Sequence, residues 1–253
     1  MPLKESEAIV LRSYPLGEGD RLVSFLDRQC GRVRGVARGA RMPKSRFGST
    51  LELLSHIRIW YFERETRELV RINQCELLES FLDVQSDYQA GVALALVSEV
   101  TEAILEEREP ADRQFRLVLL TARAVRKYEA SAVVLAYFSL WTVRLAGWLG
   151  TFDDCARCGR PLGGGPVYVS VGTSGFACPN CRRGGMREIS SGALALARQI
   201  VAESLEQVMK RTATDKSATQ IYSYTLDLIE HHLERKLVSR QMLEGPEVNQ
   251  IEV

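Results

Sequence analysis

No stretch of the 253-residue chain is long and apolar enough to cross a bilayer. The most apolar run, Ala132 to Val143, ends at Arg144, well short of the ~20 residues a spanning helix needs. The opening Met-Pro-Leu-Lys-Glu-Ser-Glu has the pattern of neither a signal peptide nor a transit sequence. A soluble, cytoplasmic protein with no membrane partner is therefore expected. Net charge is scarce as well, at +1, which excludes a surface coated in positive charge but leaves room for a local anion-binding face. Catalytic signatures are also missing. The chain has no phosphate-cradling glycine loop with a lysine, no acidic cluster for two metals and no nucleophile beside a base, and Gly17-Glu18-Gly19 is too short for a nucleotide loop. A protein that is not an enzyme is the expectation.

Charge that is small in total is unevenly placed. Residues 1–80 carry 14 basic and 11 acidic side chains, residues 81–150 carry 7 and 9, and residues 151–253 balance at 12 and 12. Within the first segment, Arg28 to Thr50 holds seven cations (Arg28, Arg32, Arg34, Arg38, Arg41, Lys44, Arg46) and no acid. In an extended strand Arg32, Arg34, Val36 and Arg38 share one face, while Val33, Gly35 and Ala37 share the other. The second face is small and buriable; the first presents guanidinium groups suited to phosphate. A solvated strand with a basic turn is the competing reading. Arg32, Arg34 and Arg38 are the strand-face candidates for nucleic-acid binding. Arg41, Lys44 and Arg46 lie on a loop expected to order on binding, and Arg28 sits at the strand break.

Around this stretch, strands are predicted at Ala8 to Leu11, Leu22 to Leu26, Arg32 to Arg38, Leu51 to Phe62 and Leu69 to Leu78, with turn chemistry at Tyr14 to Gly19 and Glu63 to Thr66. Five strands in roughly eighty residues without a helical period predict a small barrel. In an oligonucleotide-binding barrel the second and third strands face the ligand, and here those strands flank and contain the arginines. Strand count alone leaves an SH3-like barrel open. Trp60 and Phe62 fall on the outer face, fitting a seam against other elements or a platform for bases. His56, on the same face, reads as structural.

From Asp83 the period becomes helical. Leu96, Val97, Val100 and Ile104 form an inner stripe, with Glu99, Glu102, Glu106 and Glu109 opposite. Further helices are predicted over Asp112 to Lys127, Ser131 to Trp148, Ser190 to Lys210 and Lys216 to Lys236. The helix over Ser131 to Trp148, apolar nearly all round, is placed at the centre of a bundle. Arg116, Arg123, Arg126 and Lys127 are read as a solvated face rather than a nucleic-acid track. His231 and His232 point different ways and form no metal pair. Glu244 to Val253 has little to bury and is expected to fray.

Cys155-Ala-Arg-Cys158 and Cys178-Pro-Asn-Cys181 are separated by nineteen residues, the spacing of a four-thiolate site. Each Cys-x-x-Cys turn sets two thiolates at tetrahedral separation, and a hairpin through Val167 to Val171 brings the pairs together. One structural zinc per chain, held by Cys155, Cys158, Cys178 and Cys181, is predicted. Four thiolates leave no position for a reactive water. Cys30 and Cys75 read as small buried fillers. Arg157, Arg160, Arg182, Arg183 and Arg187 against Asp153 and Asp154 tilt the ribbon slightly toward polyanion contact.

The run Glu7 to Leu26 (EAIVLRSYPLGEGDRLVSFL), together with Gly31 to Gly48 (GRVRGVARGARMPKSRFG) and a helical remainder carrying two Cys-x-x-Cys pairs, resembles the RecO family of DNA repair proteins over essentially the whole chain. The resemblance implies an α+β chain: a five-stranded oligonucleotide-binding (OB-fold) barrel over residues 1–80, then an α-helical bundle over 81–253 with a zinc ribbon inserted at about 150–188. It further implies recombinational repair in the cytoplasm at the nucleoid. The implied activities are binding single- and double-stranded DNA, annealing complementary strands, and loading RecA with RecR onto strands coated by single-strand-binding protein. No residues for docking single-strand-binding protein can be matched. Without the resemblance, an RNA- or transcription-related adaptor with the same barrel and ribbon fits equally, because the basic strand does not distinguish DNA from RNA.

Overall fold

The computed structural model describes residues 3–63, 68–211 and 215–245. Most of the turn predicted at Glu63 to Thr66, and all but the first two residues of the tail from Glu244, lie outside the described residues. The described chain packs as two compact units: residues up to Glu129 together with those from Leu237 onward, and Ala130–Lys236.

In the first unit, β1 (Leu3–Leu16), β2 (Asp20–Asp27), β3 (Gly31–Ala37), β4 (His56–Phe62) and β5 (Val70–Glu79) close into a barrel in the order β1-β2-β3-β5-β4. Neighbours are antiparallel except β3 and β5, which run parallel, a crossover that a simple meander does not allow. Such closure leaves no free edge. β1 is long because it is shared: Leu3 to Ile9 pair with β4 and Ala8 to Leu16 with β2. A bulge between Val10 and Arg12 lets it turn between its partners. The interior is filled by alternate residues, among them Val10, Val23, Phe25, Val33, Ile57, Ile59, Tyr61 and Ile72. Gly35 sits where a Cβ would meet Val70 Cγ2 at 2.7 Å and Ile72 Cγ1 at 2.9 Å; its lack of a side chain is what admits β5 beside β3.

One predicted strand is shorter than its pattern. Leu51 to Ser55 alternate like a strand, yet Gly48–Leu51 is a 3-10 turn, Leu54 has φ 57°, and β4 begins only at His56. Leu51 and Leu54 are buried all the same. Leu54 N–H donates to Val10 O (2.8 Å) and Val10 N–H to Ser55 O (3.0 Å), so the segment satisfies β1 at its bulge.

Helices α1 (Tyr88–Ile104) and α2 (Asp112–Tyr128), together with the short α7 (Val238–Glu244), complete this unit. Asp87 caps α1 by accepting from Ala90 N–H at 2.8 Å. Leu96, Val97 and Val100 are buried as the pattern predicts. Glu99 is not on an outward face: it is buried and accepts from Val238 N–H (3.2 Å), Ser239 N–H (2.9 Å) and Ser239 Oγ–H (2.6 Å). Its carboxylate supplies the cap that α7 lacks from its own N-cap, Leu237. Arg123 and Arg126 are taken up by Glu79, and Arg126 also by Asp83, which fits the non-track reading of that face.

The second unit holds α3 (Ala132–Leu145), a three-stranded sheet, α4 (Ser191–Ala202), α5 (Leu205–Lys210) and α6 (Asp215–Leu233). α3 is buried on nearly every side and packs on α6, where Thr225 Oγ1–H donates to Ser139 Oγ at 2.6 Å. The single helix predicted over Ser190 to Lys210 is broken at Glu203-Ser204, because Ser204 and Gln207 form a capping box that starts α5 afresh. The sheet consists of β6 (Val167–Ser170), β7 (Thr173–Ala177) and β8 (Arg187–Ile189), in the order β7-β6-β8. The third strand adds to the predicted hairpin.

Candidate nucleic-acid interface and metal centre

The seven predicted cations separate into two groups. β3 alternates as expected over its length: Val33, Gly35 and Ala37 are buried, while Arg32, Arg34 and Val36 face outward. The strand ends at Ala37, so Arg38, expected on the strand face, begins the exposed loop instead. β5 pairs only with Gly35 to Ala37, so the start of β3 needs another partner. The chain after α1 supplies it: Glu107 bridges Arg32 in parallel, and Arg108 N–H donates to Arg32 O at 2.9 Å. Gly31 permits this approach, since a Cβ there would lie 1.7 Å from Glu109 O and φ is +76°. The arginines at this seam are consequently engaged. Arg32 donates Nε–H to Leu105 O (2.8 Å), the C-cap residue of α1, and its Nη1 lies 3.3 Å from Glu107 Oε1. Arg34 pairs with the same Glu107 oxygen and lies 3.8 Å from Glu68. Arg28 joins Glu7 (3.0 Å) and Asp112 (3.3 Å), which hold its guanidinium pKa above the ordinary value.

The second group is different. Among the described residues Arg38, Arg41, Lys44 and Arg46 are exposed and have no carboxylate partner. Their loop is tied back to the barrel. Arg41 N–H donates to Gly19 O (3.0 Å), its Nη1 to Gly17 O (2.9 Å), and Gly39 N–H to Asp20 Oδ1 (2.9 Å), which ties the loop to the β1–β2 hairpin. Phe47 is buried in the barrel core and anchors the far end, with Arg46 5.2 Å above its ring.

Register adds residues that the linear pattern did not single out. Tyr14 pairs with Leu22, Leu22 with Val36, and Val36 with Arg71. Cross-strand partners share a face, so one outer row runs across β1, β2, β3 and β5. Tyr14 is exposed, with its hydroxyl accepting from Arg12 at 2.8 Å, and Leu22 and Val36 are half-buried. Arg71 is exposed without a carboxylate partner among the described residues. Its relevance rests on the parallel β3–β5 pair, which leaves no local trace in the sequence. The face thus joins an aromatic ring and a narrow apolar strip to a rim of cations without carboxylate partners among the described residues. His56 is buried, edge-on to Phe115 at 5.8 Å. Burial depresses its pKa, only partly offset by Glu7 3.5 Å away. It is structural, as its pattern suggests.

In the ribbon, the ligand atoms of Cys155, Cys158, Cys178 and Cys181 all lie within 4.8 Å of one another. Cys158 and Cys178 sulfurs are 3.9 Å apart, close to the ~3.8 Å between ligands of a tetrahedral site with metal–sulfur bonds near 2.3 Å. Both turns are built for this. Gly159 N–H donates to Cys155 O (2.9 Å) with φ +69°, and Cys181 N–H donates to Cys178 O (2.9 Å). Cys178 N–H points at Cys155 Sγ from 3.3 Å. Burial raises the Cys155 thiol pKa, but the backbone N–H groups of Cys178, Cys158 and Arg157 outweigh it and bring the pKa down to about 6. Hydrogen bonding to Cys158 pushes Cys181 up to about 12. Four sulfurs this close cannot all be thiolates unless a cation joins them. The donor set fits a structural metal. Outside this ribbon, Cys75 is buried in the barrel core as a filler cysteine should be, whereas Cys30 is only half-buried against that core.

The chain matches two family models: Recombination protein O N terminal over residues 1–81 and Recombination protein O C terminal over residues 85–241. It is similar to a DNA repair protein RecO of Koribacter versatilis, 36% identical over 242 residues, 96% of this chain and 98% of the relative. A DNA repair protein RecO of Frankia casuarinae is 33% identical over 247 residues, covering 96% and 99%. A third, from Streptomyces coelicolor, is 37% identical over 203 residues, covering 78% and 81%. The family models part the chain at the barrel's end, whereas α1 and α2 pack into the same compact unit as the barrel.

Proposed function

The chain belongs to the recombination protein O family, with a role in DNA repair and recombination, and from that premise we propose that it is a non-catalytic mediator that binds DNA through the outer face of its barrel. The observation that carries this reading is the division among the cations. Where arginines meet the chain after α1 they are neutralised by carboxylates, while on the loop beside the open face Arg38, Arg41, Lys44 and Arg46 have no carboxylate partner among the described residues. These four, with Arg71, hold phosphates without reading bases. Tyr14 and the Leu22–Val36 strip offer a surface for the base of a single strand to stack on. Screening the charge of bound strands lowers the repulsion between complementary ones, which is how such a surface promotes annealing.

Zinc is the ion proposed for the four cysteines. It suits a closed tetrahedral thiolate set and has no redox chemistry of its own; its part is to hold the two turns together. RecR, single-strand-binding protein and RecA are the proposed protein partners, and the cytoplasmic nucleoid the proposed location. Competition between single-stranded DNA and RNA of one sequence tests the ligand. DNA should be preferred, and alanine at Arg38, Arg41, Lys44 and Arg46 should weaken binding of both. Tighter binding to RNA would replace the DNA reading with that of an RNA adaptor.

A further inference from the structure

The ribbon has a charge distribution the metal does not account for. From Cys155 to Arg187 the chain contains five arginines and neither aspartate nor glutamate, and it has no lysine. Arg187 pairs with Asp227 at 3.0 Å. The other four, Arg157, Arg160, Arg182 and Arg183, are exposed and have no carboxylate partner among the described residues. Each lies within two residues of a clustered cysteine, so convergence of the four sulfurs within 4.8 Å gathers the four arginines around one knob. Arg182 rests 4.7 Å above the Tyr168 ring, which orients its guanidinium without neutralising it.

The neutral alternative is that these arginines balance the metal–thiolate charge. A dication with four thiolates carries roughly −2 and exposed Asp154 beside Cys155 adds one more negative charge, Asp153 lying 3.8 Å from Arg198. The four arginines exceed these by about one charge, so the knob remains positive. Their type matters too: a guanidinium forks onto phosphate oxygens, whereas a lysine is a point charge. Beside them, Gly163, Gly164 and Gly165 are exposed with nothing within 4 Å of where a Cβ would stand, so a polymer backbone can approach without meeting side chains there.

We propose that the ribbon is a second nucleic-acid site, separate from the barrel, in which Arg157, Arg160, Arg182 and Arg183 hold the phosphates of a second strand. It shares with the barrel reading only the class of ligand. A chain with one such surface in each compact unit holds two strands at once, which is what annealing requires.

Stoichiometry tests it on the full-length, metal-loaded protein, with a labelled non-self-complementary DNA of about ten nucleotides, the size of one single-strand site. The unaltered protein should bind two oligonucleotides, and a variant with alanine at the four ribbon arginines should bind one while keeping its metal. Lysine at the same positions should restore the second site, weakened. Two oligonucleotides on a metal-loaded alanine variant would overturn the proposal, as would saturation of the ribbon by an acidic peptide that DNA does not displace. Photo-crosslinking DNA to the unaltered protein gives a readout that needs no variant: crosslinks should map to residues 155–187, and their absence would refute the site. Alanine at Arg38, Arg41, Lys44 and Arg46 removes the other oligonucleotide. If it does not, the barrel reading fails, while the ribbon site still stands or falls on its own variant.

Discussion

Replacing Arg38, Arg41, Lys44 and Arg46 with alanine separates the free cations from the neutralised ones. With Arg71 they make five charges on the barrel face that have no carboxylate partner among the described residues. If each meets one phosphate, the log–log salt slope for single-stranded DNA at this face is about −3.5, and the four-alanine variant retains a slope of about −0.7. Raising salt from 50 to 200 mM should then weaken barrel binding roughly a hundredfold in the unaltered protein and about threefold in the variant. The control is alanine at Arg32 and Arg34. Those side chains hold Glu107 and the Leu105 carbonyl, so their loss should cost stability, about 1–2 kcal/mol, and leave the salt slope nearly unchanged. Fluorescence anisotropy of a labelled oligonucleotide across a salt series measures the slope, with urea melts for stability. To confine the measurement to the barrel, the ribbon arginines are replaced in every protein compared. A salt slope that stays steep in the four-alanine variant, or collapses only when Arg32 and Arg34 are removed, would refute the partition.

Serine at Cys155 or Cys178 should reduce metal content from one ion per chain to none and destabilise the unit spanning Ala130–Lys236, which metal analysis and thermal melts would check; a stable, metal-free variant would contradict the structural role. Alanine at Glu99 should leave two N–H groups and a hydroxyl at the start of α7 without their acceptor, lowering stability by about 2–4 kcal/mol in urea melts, with faster amide exchange in α7. His56 has a depressed folded pKa, so the unfolded chain binds its proton more readily. The stability of the native neutral form should be complete above about pH 6.5 and fall as pH drops below it. Phenylalanine at this position should remove that slope from the pH dependence of urea midpoints, and an unchanged slope would assign it to other groups.

Local information was enough for part of this protein. Val33, Gly35 and Ala37 alternate with arginines because a strand's faces alternate every residue, and that alternation survives folding unchanged. The two Cys-x-x-Cys pairs anticipate their cluster for a similar reason: each turn is a local geometry, and the cysteines converge as expected. Patterns misled where a distant group decided the outcome. Leu51 to Ser55 alternate like β4, yet Leu54 N–H and Ser55 O pair with Val10 at the bulge of β1. Glu99 lies on a helix face that reads as solvated, yet it caps α7 from far along the chain. Composition could count seven cations but could not say which had partners. Glu107 reaches Arg32 and Arg34 only because β5 leaves the start of β3 unpaired and Gly31 admits the chain after α1. Arg71 joins the face only through parallel pairing with β3. Residue type and local period therefore anticipated most of the barrel strands, the four-cysteine cluster and a basic surface. Long-range register and burial assigned each charge either to a carboxylate within the fold or to a ligand outside it, because a charge is free only if folding brings no opposite charge within reach.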